Sequence, residues 1–142
     1  MEAFDCALEG IFENGPISLY GLEEEIANDS QLKVPLSAPT ITVIYPVDRN
    51  ETLPYVSVTY TQAQIVNVEG LFRAIHAFYY QPLTFEQRAA LKLSDPNNDA
   101  NYVEDVEALV YDALMGSDGC RTDILMIDRK NGQYQLKLDW SC

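Results

Sequence analysis

Glu69, Arg73, His76 and Tyr80 are spaced i, i+4, i+7 and i+11, which places all four along one side of a helix. A carboxylate and an imidazole on one helix edge could move protons, so His76 with Glu69 defines one candidate chemistry, that of a small hydrolase or transferase. The same residues also have a plainer use. Glu69 and Arg73 have the spacing of an ordinary helical ion pair, and a histidine at the border of an apolar stripe is expected without any catalysis. A helix edge by itself supplies neither a pocket nor a tuned acid or base.

Other chemistry is weaker in the sequence. Asp95, Asn97, Asp99 and Asn101 fall at positions 1, 3, 5 and 7 of a calcium-binding loop, but the pattern then fails. Position 6 is Ala100 where glycine is needed, and position 12 is Val106, with Glu107 one residue late. A polar turn leading into a helix cap accounts for the loop better. Cys6, Cys120 and Cys142, with one histidine, show no zinc-ligand spacing, so no metal is expected. No serine lies in a Gly-x-Ser-x-Gly elbow, and neither phosphate-cradling glycine motif is present, so no cofactor is expected.

Charge is the most unusual property of the whole chain. Its 142 residues carry 22 acidic and 9 basic side chains, a formal net charge of −13. Residues 1–48 contain nine acids and the single base Lys33, and residues 93–120 contain seven acids and no base. Such a field repels nucleic acid and anionic membranes and speeds encounter with a basic partner. Glu9, Glu13, Glu104 and Asp105, drawn from these two acidic regions, are the candidate partner contacts. With 22% charged and 47% hydrophobic residues, the composition is that of a globular domain rather than a highly charged decoy. That ranks a nucleic-acid mimic or histone-binding protein below a general acidic interaction module.

The elements that position these residues are legible from periodicity and stop signals. Residues 2–13 predict an amphipathic helix, with Phe4, Ala7, Leu8, Ile11 and Phe12 on one stripe and Asn14-Gly15-Pro16 as its end. Leu19, Leu22 and Ile26 suggest a second helix. Thr40 to Tyr45 and Tyr55 to Thr61 read as two strands of a hairpin, bounded by Pro39, Pro46 and Pro54. The central helix follows, capped by Asn67, stopped at Gln81-Pro82, and apolar at Val68, Leu71, Phe72, Ile75, Phe78 and Tyr79. Thr84 and Gln87 form a capping box for a short helix over 85–93, and Val103, Val106, Val110, Ala113 and Leu114 suggest another ended by Gly116.

Asn131-Gly132 predicts a two-residue hairpin turn near the C-terminus. Counting outward from it pairs Ile127 with Leu136, Leu125 with Leu138, and Asp123 with Trp140. The expected architecture is therefore α+β: one compact domain over 1–142, with two antiparallel hairpins at about 40–61 and 122–140 packed with four or five helices. Homodimerisation through the C-terminal hairpin is also open, because Ile124 and Met126 keep its second face partly apolar. The acidic N-terminus, the odd cysteine count and the lack of a long apolar run predict a soluble intracellular protein.

The run from Ile65 to Thr84, Ile-Val-Asn-Val-Glu-Gly-Leu-Phe-Arg-Ala-Ile-His-Ala-Phe-Tyr-Tyr-Gln-Pro-Leu-Thr, resembles a short pattern in uncharacterised small proteins of large nucleocytoplasmic DNA viruses. The resemblance covers 20 of 142 residues, most of them positions a core helix needs. It implies a viral origin and a role in the virion or in host interaction, and it transfers no site residues. Together with the charge, it makes a non-enzymatic module binding a basic protein the leading expectation.

Overall fold

A computed structural model describes residues 3–12, 17–18, 30–47, 53–94, 109–110, 121–130 and 133–141, the backbone alone at 17–18, 92–94, 121–130 and 139–141. In chain order it runs through helix α1 (Ala3–Ile11), strand β1 (Ile17–Ser18), a 3-10 turn (Ser30–Lys33), β2 (Thr40–Tyr45) and β3 (Val56–Thr61). Helices α2 (Val68–Tyr79) and α3 (Phe85–Ser94) come next, then strands β4 (Arg121–Lys130) and β5 (Gln133–Ser141). All five strands join one sheet in the order β1-β4-β5-β2-β3.

The α+β class stands, but the expected arrangement of two hairpins packed with four or five helices does not. The pairs β2-β3 and β4-β5 are halves of one continuous mixed sheet, because β2 also pairs with β5 in parallel, Ile41 opposite Tyr134 and Val43 opposite Leu136. Three α-helices are present among the described residues. Each local pattern reports a strand and its turn; nothing local reports that two strands about 90 residues apart will lie side by side. The helix expected around Leu19 to Ile26 lies outside the described residues, as does the one over 103–114 apart from Leu109 and Val110. Leu109 bridges to Pro82, and the buried Val110 donates its N–H to the Gln81 carbonyl at 2.9 Å.

The C-terminal register is also corrected. Ile127 does oppose Leu136, but Leu138 faces Ile124 and Trp140 faces Thr122, because the ladder shifts between Ile124 and Met126. A bulge consumes one extra residue of β4, and counting from the turn assumes none. The dimer contact expected at Ile124 and Met126 involves side chains outside those described.

One sheet face is the floor of the core. Ile41, Val43 and Tyr45 of β2 alternate inward, as do Tyr134, Leu136 and Leu138 of β5. Helix α1 settles on β5 through Phe4 against Tyr134, ring centroids 5.3 Å apart, and meets α2 through Phe12 against Phe72 at 6.0 Å. Helix α2 covers β2: Tyr45 stacks on Phe78 at 3.9 Å and meets Tyr79 edge-on at 5.8 Å. All six residues of the α2 apolar stripe are buried. No helix among the described residues is long and apolar enough to cross a membrane.

Candidate functional site

The exposed edge of α2 is positioned by its start. Asn67 is extended and its side chain accepts the Gly70 N–H at 2.9 Å, closing the first turn. The chain just before the helix is tied to the segment after the 3-10 turn: Leu36 N–H donates to the Val66 carbonyl at 3.0 Å, and Val68 N–H donates to the Val34 carbonyl at 3.1 Å. These two bonds carry Lys33 to the first turn of α2. Its ammonium then meets Glu69 Oε2 at 2.9 Å, while Arg73 from the next turn meets Glu69 Oε1 at 2.9 Å.

Glu69 is therefore committed at both oxygens. The hydrogen bond from Lys33, the Lys33 charge and then Arg73 hold its carboxyl below the usual carboxylate range, against a smaller opposing effect of desolvation. His76 lies two turns further on, about 10 Å along the helix axis from Glu69. Its ring is half-buried and stacks on Tyr80, with centroids 4.2 Å apart and planes tilted by 20°. The shared edge predicted from spacing exists, but it separates the carboxylate from the imidazole and gives each a different neighbour.

The missed residue on this edge is Lys33. It lies 36 positions from Glu69, and its only sequence signal is that it is the lone base among residues 1–48. A second polar cluster was equally unforeseen. The Tyr45 and Tyr60 hydroxyls are 2.9 Å apart, and the buried Tyr79 hydroxyl donates to the Pro46 carbonyl at 2.8 Å. Burial first, then the bond to Tyr60, push the Tyr45 phenol far above its usual range. A phenol held neutral in this way is a fixed dipole in the core, and it cannot serve as a base.

Of the candidate partner contacts, Glu9 lies on the solvent side of α1, opposite the buried Phe4, Ala7, Leu8 and Ile11. Glu13, Glu104 and Asp105 lie outside the described residues, as does the loop from Asp95 to Asn101. Among the described residues, no group of three or more His, Cys, Asp or Glu is arranged to hold a metal ion.

Comparison with protein-family models, curated proteins and solved structures finds no match to this chain.

Charge is unevenly distributed along the sequence, with nine acids and one base in residues 1–48 and seven acids and no base in residues 93–120.

Proposed function

We propose that the chain is a non-enzymatic interaction module that presents acidic segments to a basic protein partner. The observation supporting this reading is the uneven distribution of charge, with nine acids against one base in residues 1–48 and seven acids against none in residues 93–120. Acids needed only for solubility would be expected over the whole surface, interspersed with bases. Concentrated in a few segments, they create a field that attracts a cationic surface and weakens as salt screens it. Glu9, Glu13, Glu104 and Asp105 are the contacts assigned to this role, and the resemblance of residues 65–84 to viral proteins suggests that the chain itself is a virion or host-interaction protein.

The arrangement on α2 supports a non-enzymatic reading, since Glu69 is occupied by two cations and stands two turns from His76. Immobilised protein exposed to cell lysate tests the proposal. A basic protein retained at low salt, released at high salt, and lost when the four acids are replaced by their amides is the expected result. Retention that survives both high salt and the fourfold replacement would refute it.

A further inference from the structure

The sheet has two long edges among the described residues, and they differ in chemistry. Strand β4 pairs with β1 only through Arg121 and Thr122, which leaves its remaining outer edge to a sequence containing Asp123, Asp128, Arg129 and Lys130 and interrupted by the register shift. Charges and bulges of this kind are what edge strands use to discourage further pairing. Strand β3 has neither. Its sequence, Val56-Ser57-Val58-Thr59-Tyr60-Thr61, is uncharged and rich in strand-forming residues, and all six are in unbroken register with β2.

The neutrality extends well beyond the strand. Residues 34–47 and 52–68 contain no Asp, Glu, Lys, Arg or His, so both strands are uncharged in a chain of net charge −13, and Asp48, Arg49 and Glu51 of the sequence between them are the nearest charges along the chain. Among the described residues β3 pairs on one side only, and by alternation half of its backbone N–H and C=O groups point away from β2. Thr61 closes one end of that edge, since its N–H donates to Gln64 Oε1 at 2.8 Å and its carbonyl accepts from Gln64 and Ile65 N–H at 3.0 Å. Among the described residues, the outer edge from Val56 to Tyr60 is uncharged and has no strand partner.

We infer that β3 pairs with β3 of a second copy of this chain, antiparallel about a twofold axis, joining the two sheets into one. Two observations select this occupant. Strongly acidic copies can approach closely only where charge is absent, and this edge is where it is absent. The strand is also self-complementary. Val56, Val58 and Tyr60 are half-buried and Ser57, Thr59 and Thr61 are exposed, so directly opposed residues share a face in either twofold register. Val58 then faces its own copy with Ser57 opposite Thr59, or Thr59 faces its own copy with Val58 opposite Tyr60. A basic or acidic foreign strand would find no charge here to select it.

Sedimentation equilibrium of the full chain, with amide hydrogen exchange at two protein concentrations, tests the inference. Twice the 16.0 kDa chain mass is expected, together with β3 amide protection that rises with concentration. Replacing Ser57 and Thr59 together by lysine, at two exposed positions, opposes like charges in both registers and should weaken the dimer at least about tenfold. Circular dichroism would verify that the variant folds, and the concentration dependence in the unaltered chain stands even if it does not. A monomer with protected β3 amides would assign the edge to another segment of the same chain, and a monomer with unprotected amides would leave it to a foreign strand. Either overturns the inference, as does a dimer that the two lysines leave intact.

Discussion

Among the described side chains, Tyr45 is held on several sides. Its ring is fully buried, stacked on Phe78, and its hydroxyl is bonded to that of Tyr60, so the folded protein keeps it protonated well above the range in which a free phenol ionises. The unfolded chain releases that proton near pH 10. Tyr45 therefore contributes its full share of stability below about pH 10, and loses it as pH rises further, by about 1.4 kcal/mol per pH unit. Thermal unfolding followed from pH 8 to 11 should show melting temperatures falling steeply above about pH 10, and Tyr45→Phe should flatten that fall. An equally steep fall in the variant would assign the alkaline sensitivity to other groups. None of this could be read from sequence, because the β2-β3 register sets Tyr45 opposite Val56 and Tyr60 opposite Ile41, and their hydroxyls meet only through the placement of the two side chains on the folded sheet. The α2 edge was legible in part: spacing placed Glu69 and His76 on one side of the helix, and only the fold added Lys33.

At the scale of elements, the features set by local chemistry were the ones sequence revealed. Asn67 caps α2 as expected, and Thr84 and Gln87 form a reciprocal capping box on α3: Thr84 N–H donates to Gln87 Oε1 at 2.9 Å, and Gln87 N–H donates to Thr84 Oγ1 at 3.0 Å. The two caps should not matter equally. Asn67→Ala removes a cap from a helix whose apolar stripe is all core, and should cost about 1 kcal/mol of global stability in denaturant titration. Thr84→Ala acts on a shorter helix whose first residue, Phe85, is 78% exposed. Its expected effect is local fraying, seen as faster amide exchange over residues 85–88, with a smaller change in the unfolding midpoint. Equal global losses from both would contradict this ranking. The parallel β2-β5 contact and the bulge near Leu125 were illegible for one shared reason: each depends on how distant strands meet, and neither has a nearby turn or cap to announce it.

Over the whole molecule, charge is spread unevenly along the chain. Helices α1 and α2 close one face of a five-stranded sheet with aromatic contacts. The acid surplus falls in residues 1–48 and 93–120, and strands β2 and β3 contain no charged residue. The net charge of −13 and its two acid-rich stretches were plain in the sequence. We propose that these acid-rich stretches are recognised by a basic partner through charge. The most direct test is a titration of the full chain with a lysine- and arginine-rich peptide, followed by calorimetry at several salt concentrations. The account predicts affinity that falls steeply as salt rises toward about 0.5 M, where screening confines charge interactions to a few ångströms. It also predicts a marked loss of affinity at low salt when Glu9, Glu13, Glu104 and Asp105 become amides. Affinity indifferent to salt, or unchanged by the four substitutions, would contradict it.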